Sequence, residues 1–316
     1  MTKQKVRIVT LTMNPSIDIS MSADSVVAQH KIRCSTPRYE SGGGGINVAR
    51  VVISLGGSVH AVFPSGGNEG AMLQDLVKNS GIEYSNISTE KSTRMSFAVY
   101  DKSNENQFRF NAPGPSLTKQ EWRQCLDYIE GFEPAPDYIV ASGSLPPNVP
   151  DVFYEHIALC AKKRNIRFIL DTSGTALKKG ARKGVYLLKP NMREMRALSG
   201  KELDHEQEII DTLKELIDKG TAEVIVLSLG AGGAFLATDK TVKRMHTPTV
   251  PIRSAVGAGD SMVGGITVAL SQGKSISDSV RMGLAAGAAA VMTPGTELCR
   301  RDDVLSLYDK ISTELE

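Results

Sequence analysis

The chain has 316 residues, of which 41% are hydrophobic and 23% charged, the composition of a folded globular protein rather than a disordered one. Its 37 Lys and Arg residues nearly balance 35 Asp and Glu, and this formal charge of +2 argues against general binding to nucleic acid or a membrane surface. Four cysteines without a CxxC pair argue against a disulfide framework, and no segment resembles a signal peptide or a membrane span, so we expect a cytoplasmic protein.

Short apolar segments alternate along the chain with longer segments of helical period. The predicted strands are nearly all apolar, as strands buried on both faces of a parallel sheet are: 6–12, 59–63, 138–141, 168–170, 185–188 and 224–227. The predicted helices are 46–55, 117–129, 152–164 and 206–219, followed by a mostly helical last third with helices at 257–271, 276–292 and 301–313. This alternation predicts an α/β fold of three layers (α/β/α), with a Rossmann-like, mostly parallel sheet.

Two segments, residues 17–39 and 95–111, interrupt this alternation. Both alternate polar and apolar residues, as in Phe108-Arg109-Phe110, which predicts half-solvated antiparallel strands. We therefore expect a small β-sheet that projects, as a candidate lid, from a main domain formed by residues 1–16, 40–94 and 112–316.

The strongest local motif is Gly257-Ala258-Gly259-Asp260, which leads directly into an apolar helix. Glycines let backbone N–H groups point at a bound group, and a helix N-terminus adds its positive dipole end. These features suit a transferring phosphoryl group with Asp260 beside it. Alternatively, Asp260 only favours the helix N-terminus and the glycines only turn the chain.

Four consecutive glycines, Gly42 to Gly45, come directly before the helix predicted at 46–55. They would allow a ligand to approach the backbone closely, and the Asn47 side chain could offer a donor and an acceptor to sugar hydroxyls. A flexible joint is the alternative interpretation of the glycines.

Lys189-Pro-Asn191 ends a predicted strand, where open α/β sheets bind their ligands. Glu194 has capping-box spacing from Asn191, but it could instead hold Mg²⁺, which contacts proteins through only one or two carboxylates. Ser228 and Gly230 lie in a glycine turn after another strand and could cover a nucleotide. A Walker-type P-loop, a dinucleotide fingerprint and a histidine metal motif are all missing from the sequence.

Four motifs resemble those of the ribokinase-type carbohydrate kinases in sequence, order and spacing, over nearly the whole chain: Asn14-Pro-Ser-Ile-Asp18, the glycine run with Asn47, Lys189-Pro-Asn191 with Glu194, and Gly257-Ala-Gly-Asp260. The resemblance implies a three-layer α/β domain with a β lid that often mediates homodimers, and ATP with Mg²⁺ as phosphoryl donor. Within the family the chain is most similar to the branch that phosphorylates fructose 6-phosphate at O1. Gly44 stands where kinases of tagatose 6-phosphate or fructose 1-phosphate, the alternatives, usually carry lysine. A non-catalytic sugar-phosphate-binding protein is the alternative from another class.

The resemblance also implies a role for each matching position. Asp260 would be the catalytic base, with Gly257, Ala258 and Gly259 forming the anion hole. Substrate would contact Asp18, Lys31, Arg33, Gly42, Gly43, Gly44, Gly45, Asn47, Arg94 and Ser144. ATP would contact Lys189, Asn191, Ser228 and Gly230, while Glu194 would position Mg²⁺ through water. Ala255 replaces a threonine of many relatives beside the family's potassium-binding loop, which leaves a dependence on K⁺ open.

Overall fold

The computed structural model describes residues 7–313, so Val6 of the first predicted strand lies outside the described residues. The strands are β1 (Ile8–Leu11), β2 (Ser16–Ala23), β3 (Arg38–Gly42), β4 (Val59–Ser65), β5 (Glu83–Ser88), β6 (Arg94–Asp101), β7 (Asn106–Asn111), β8 (Tyr138–Ser142), β9 (Arg167–Asp171), β10 (Val185–Leu188), β11 (Ala222–Ser228), β12 (Ala234–Ala237) and β13 (Val242–Met245). The helices are α1 (Gly44–Ser54), α2 (Gly67–Asn79), α3 (Lys119–Glu130), α4 (Phe153–Lys163), α5 (Gly174–Gly180), α6 (Met192–Ser199), α7 (Glu206–Asp218), α8 (Ala258–Ser271), α9 (Ile276–Val291) and α10 (Arg301–Thr313).

Nine strands form one sheet in the order β13-β12-β11-β10-β9-β8-β1-β4-β5, and the last seven of these run parallel. β12 and β13 are antiparallel to their neighbours because short turns connect them to the sheet. The predicted α/β/α fold with a mostly parallel sheet is confirmed. The sequence did not predict the edge strands β5 and β13, whose polar, partly exposed residues lack the apolar pattern of a buried strand.

Consecutive residues of the central strand pack on opposite faces of the sheet, because side chains alternate along a strand. Ile8 joins a buried cluster with residues of α1, α8 and α9, whereas Val9 joins a second cluster with residues of α3 and α4. α8 lies close to α9, since a side chain at Gly265 would meet the backbone oxygen of Met282 at 2.8 Å. This packing fixes the position of the α8 N-terminus at the sheet.

The second sheet, which we call the small sheet, has the order β3-β2-β6-β7. Its outer pairs are antiparallel, as predicted, but the central pair β2–β6 is parallel. β2 and β6 are far apart in the chain, so no tight turn requires them to be antiparallel. The small sheet also extends beyond the predicted segments, from Ser16 to Ala23 and Arg38 to Gly42, and from Arg94 to Asn111. No helix among the described residues is long and apolar enough to cross a membrane.

Candidate active site

Asp260 lies in the first turn of α8, which begins after Gly257 in the left-handed conformation (φ 74°). Its carboxylate accepts a hydrogen bond of 2.9 Å from Nδ2 of Asn47 and one of 3.2 Å from Oγ of Ser142. The N–H of Ser261 is the first to bond within the helix, to the carbonyl of Gly257. The preceding N–H groups, at Ala258 to Asp260, therefore have no partner inside the helix and can bind an anion.

The carboxyl ends of neighbouring strands bring further polar side chains to this helix. Ser142 ends β8, Asp171 ends β9 and Lys189 follows β10. Lys189 is 5% exposed and its Nζ lies 3.1 Å from Oδ1 of Asp171. A Cβ at Gly259 would lie 3.6 Å from the same Nζ, so this ammonium group stands beside the α8 N-terminus. The edge of the sheet and the helix together form one polar cluster.

Burial controls the protonation of this cluster. Asp260 is half-buried, and loss of water around its carboxylate, together with the charge of Asp171, raises its pKa to about 6. The hydrogen bonds from Asn47 and Ser142 and the charge of Lys189 oppose this rise without cancelling it. Burial alone would lower the pKa of Lys189, but the adjacent Asp171 reverses the effect and raises it. Lys189 therefore stays charged while Asp260 can accept a proton near neutral pH.

Asp18 lies on β2 of the small sheet, where Ser16 donates a 2.6 Å hydrogen bond to its carboxylate. Burial raises the pKa of Asp18, although Ser16 and the charges of Arg94, Arg50 and Arg109 act in the opposite direction. A side chain at Gly42 would overlap the Asp18 carboxylate. Asp18 is therefore held in a narrow, partly dehydrated position, next to several cations.

Arg94 and Ser144 are joined through Asn14. Nη2 of Arg94 donates to the Asn14 carbonyl at 3.0 Å and Nη1 donates to the Ala112 carbonyl at 3.1 Å. Nδ2 of Asn14 donates to Oγ of Ser144 at 3.1 Å. Nε of Arg94 is buried and has no partner among the described residues, so it is a donor that a bound anion could satisfy.

Lys31 and Arg33 are exposed in the loop between β2 and β3, and the structure does not bring them to Arg94 within one chain. Arg94 pairs with Ser16 at the start of β2, whereas Cys34, next to Arg33, pairs with Ala23 at its end. At about 3.3 Å per residue, the two ends of β2 lie roughly 23 Å apart. Lys31 and Arg33 therefore do not lie beside Arg94 within one chain, as a shared phosphate site would require.

Tight packing of the protein on itself accounts for much of the glycine run. Side chains at Gly44 and Gly45 would overlap Ser142 and Thr12 respectively, and Gly43 has a φ of 105° that favours glycine. The run therefore lets α1 begin directly against β1 and β8, which holds Asn47 beside Asp260. It is not a flexible joint, because both α1 and its neighbours are packed here.

A largely apolar cavity of 440 Å³ lies at the start of α8, where Ala258, Gly259 and Met262 form part of its lining. It is lined by Ser228, Gly230 and Gly259, and by apolar residues of α8, α9 and the 247–255 segment. Asn191 lies near its polar end, since it pairs with Ser228 as an isolated bridge. A cavity of this size and character suits a planar base, with its phosphates directed to α8.

Glu194 forms the capping box that its spacing suggests. Its carboxylate accepts from the Asn191 N–H at 2.9 Å, and its own N–H donates to Oδ1 of Asn191 at 2.9 Å. Burial raises the pKa of Glu194. The charge of Asp171 also raises this pKa, whereas the charge of Lys189 lowers it. Among the described residues no group of three or more Asp, Glu, His or Cys side chains could hold a metal. The donors present suit a hydrated Mg²⁺ that is held mainly by phosphates, with Glu194 as a protein contact.

The sequence interpretation missed three residues of the site: Asn14, Ser142 and Asp171. Asn14 stood in a quoted motif, but only its distant partners Arg94 and Ser144 reveal its contacts. Ser142 and Asp171 end two apolar segments, and polar residues at strand ends were the available signal.

Comparisons with known proteins show the family of the chain. The family model of pfkB family carbohydrate kinases matches residues 8–303. The chain is 48% identical to the ATP-dependent 6-phosphofructokinase isozyme 2 of Mycobacterium tuberculosis over 96% of this chain and 90% of the relative, and 38% identical to the Escherichia coli isozyme 2 over 97% and 99%. The solved structure of E. coli phosphofructokinase-2 with fructose-6-phosphate has a TM-score of 0.91 at 37% identity, covering 97% of this chain and 99% of that one. The chain belongs to the pfkB family of carbohydrate kinases.

Proposed function

We propose that this chain is an ATP-dependent 6-phosphofructokinase, which transfers the terminal phosphoryl group of ATP to O1 of fructose 6-phosphate. The observation that carries the proposal is the set of neighbours around Asp260. Its carboxylate is bonded to Asn47, which follows the glycine run packed against Asp18, and its chain neighbour Gly259 lines the apolar cavity. The relatives named as 6-phosphofructokinases at 48% and 38% identity support the same substrate.

In this proposal Asp260 accepts the proton of the sugar hydroxyl as its oxygen attacks the γ-phosphorus of ATP. The free N–H groups at the start of α8 and the ammonium group of Lys189 stabilise the negative charge that develops on the transferred group. Asn47 holds the Asp260 carboxylate in place through Oδ2. Asn191, Ser228 and Gly230 would contact ATP.

Glu194 and the phosphates of ATP would hold Mg²⁺, which supplies further neutralisation of phosphate charge when bound. The capping box occupies Oε2 of Glu194 and leaves Oε1 free of a protein partner in the hydrogen bonds seen. Capping and metal positioning are therefore compatible at this residue.

The orphan Nε of Arg94 and the neighbouring Ser144 and Asp18 support recognition of a phosphorylated sugar. A lysine at Gly44, typical of the alternative tagatose-6-phosphate and fructose-1-phosphate kinases, would overlap Ser142 at its first side-chain atom. Lys31 and Arg33 can reach a phosphate at Arg94 only if the small sheet moves or if a second copy supplies them.

The small sheet would serve as both lid and dimer interface. One of its faces carries the aligned residues Tyr39, Ile19, Phe97 and Phe110, one from each strand. Tyr39, Phe97 and Phe110 are 43%, 40% and 58% exposed, an apolar row that a second copy could cover. A solved form of the E. coli relative is described as tetrameric, so larger assemblies built from such dimers are compatible with the family.

A requirement for K⁺ belongs to the proposal as well. The E. coli relative has been solved in complex with potassium. Here the 253–256 segment lies against 291–295, where the Ser254 hydroxyl donates to the Gly295 carbonyl at 2.7 Å. Replacing K⁺ by a large organic cation in the assay tests this requirement. A cytoplasmic location, where ATP and sugar phosphates occur, stays a prediction.

A coupled assay of ADP release tests the proposed function. We expect ADP release with fructose 6-phosphate to exceed that with tagatose 6-phosphate, fructose 1-phosphate and unphosphorylated fructose. A preference for tagatose 6-phosphate or fructose 1-phosphate would show that the enzyme is a kinase of that sugar phosphate instead. Binding of fructose 6-phosphate without ADP release would favour a non-catalytic binding protein.

A further inference from the structure

The Ser142 hydroxyl lies between two carboxylates, those of Asp260 and Asp171. Oγ is 3.2 Å from Oδ1 of Asp260 and 3.3 Å from Oδ2 of Asp171. Ser142 and Asp171 are direct partners at the ends of the adjacent strands β8 and β9, so the sheet itself holds this arrangement. Ser142 is 1% exposed, so its hydroxyl offers almost no surface to a substrate that enters from solvent.

A single hydroxyl cannot satisfy two ionised carboxylates. Serine has one hydrogen to donate, and an ionised carboxylate can only accept. When both Asp260 and Asp171 are charged, only one of the two contacts is a hydrogen bond, and the other places lone pairs against each other. The resting arrangement is therefore one proton short.

A proton on Asp260 would complete a chain of hydrogen bonds from Asp260 through Ser142 to Asp171. The Asn47 amide donates to Oδ2 of Asp260, whereas Oδ1 lies 3.2 Å from Oγ of Ser142 and is the oxygen from which a proton can reach that hydroxyl. Oδ1–H can then donate to Ser142, and the Ser142 hydroxyl can donate to Asp171. Each contact then has one donor and one acceptor, and the final acceptor is the Asp171 carboxylate, whose Oδ1 lies 3.1 Å from Nζ of Lys189.

We propose that Ser142 is a positioning residue that turns its hydroxyl from Asp260 to Asp171 when Asp260 takes up the acceptor proton. This inference rests on the proposed kinase function. In the transfer step the sugar O–H bond breaks, its oxygen bonds to the γ-phosphorus, the bond to the leaving ADP oxygen breaks, and the proton passes to Asp260. The hydroxyl turn stabilises this neutral Asp260 without moving any heavy atom.

The surroundings of Asp260 support this role. The polar and charged groups that face it are Asn47 from α1, Ser142 and Asp171 from the strand ends, and Lys189 after β10. The charge of Glu194 on α6 helps to raise the pKa of Lys189, which in turn faces Asp260. Burial and Asp171 raise the pKa of Asp260 to about 6, which is consistent with a site prepared to hold the proton.

Steady-state kinetics of Ser142→Ala with fructose 6-phosphate and ATP test the proposal. We expect kcat to fall about tenfold or more, the scale for a hydrogen bond to a charged group, while both KM values stay within about twofold. Ser142→Cys fills the same space with a weak donor and acceptor, so its kcat should stay close to that of the alanine variant. An unchanged kcat in Ser142→Ala, or a wild-type kcat in Ser142→Cys, would overturn the proposal.

A double-mutant cycle with Asp171→Asn tests the link between the two residues. Because Ser142 acts through Asp171, Ser142→Ala should lower kcat less in the Asp171→Asn background than in the wild type. The two fold-changes should differ by a factor of about three or more. Equal factors in both backgrounds would contradict the relay. If Ser142→Ala fails to fold by circular dichroism, Ser142→Cys replaces it in the cycle. A wild-type protein without kinase activity would refute the proposed function. If the wild type is active but the effects of Ser142→Ala and Asp171→Asn on kcat simply multiply, only this inference is refuted.

Discussion

Asn47 donates a 2.9 Å hydrogen bond to Asp260, although the two residues are 213 positions apart in the chain. The bond joins the first turn of α1 to the first turn of α8, and both helices begin after a glycine with positive φ. It holds the candidate base in one orientation while leaving Oδ1 of its carboxylate to Ser142 and to a substrate proton.

Asp260→Asn should abolish turnover while preserving the fold. We expect kcat to fall about 10²-fold or more, because general-base catalysis contributes on that scale. Little change is expected in the affinity for fructose 6-phosphate, measured by calorimetry. Turnover close to that of the wild type would show that Asp260 only favours the helix N-terminus.

The same substitution should change how stability depends on pH. The pKa of Asp260 is raised from 3.8 to about 6 in the folded protein, so its contribution to stability is present below pH 3.8 and is lost as the pH rises through about 6. Asp260→Asn removes this loss and should raise Tm at pH 7 more than at pH 4. An equal effect on Tm at both pH values would contradict the raised pKa.

Titration of Asp260 can be measured directly in the ligand-free protein. ¹³C NMR of the aspartate carboxyl groups should show one signal with a midpoint near pH 6, which disappears in Asp260→Asn. Catalytic activity should decrease as the pH falls below that midpoint, because the protonated base cannot accept the sugar proton. A midpoint near 4 would mean that water reaches this carboxylate.

Glu194→Gln separates metal positioning from helix capping. The glutamine carbonyl can still accept from the Asn191 N–H, so the capping box should persist and Tm should change little. Loss of the negative charge should raise the Mg²⁺ concentration that gives half-maximal rate. An unchanged Mg²⁺ curve with a lower Tm would leave Glu194 as a cap alone.

Arg94→Ala should weaken binding of the sugar phosphate. We expect the KM for fructose 6-phosphate to rise about tenfold or more, since hydrogen bonds to charged groups contribute about 1.5–3 kcal/mol. The KM for ATP should stay nearly constant because Arg94 lies on β6 of the small sheet and does not line the cavity proposed for ATP. Lys31→Ala provides the comparison: an equal rise in KM would place Lys31 at the same phosphate in the working enzyme.

Static light scattering at micromolar concentration should report at least twice the chain mass of 34.0 kDa. Phe110→Asp places a charge in the exposed apolar row of the small sheet and should reduce the mass to that of one chain. Leu159→Asp on α4, which is similarly exposed at 44%, is the matched control and should leave the mass unchanged. A wild-type protein at the mass of one chain would remove the dimer proposal and leave the kinase proposal intact.

The sequence by itself determined the layered fold, because strands buried on both faces and amphipathic helices leave strong periodic patterns. It also determined that Asp260 would lie in the first turn of a helix that begins at the glycine motif, since these signals are local. The polar edge strands β5 and β13 escaped prediction because partial exposure removes the apolar pattern. The parallel pairing of β2 with β6 was unpredictable, because pairing depends on residues about 80 positions away.

Only the tertiary structure decided how the site is assembled. It separated Lys31 and Arg33 from Arg94, and it brought Asn14 between Arg94 and Ser144. It also placed the Ser142 hydroxyl between Asp171 and Asp260, at 3.3 Å and 3.2 Å from their carboxylate oxygens. These properties depend on contacts between residues far apart in the chain and on burial, and neither leaves a local pattern in the sequence.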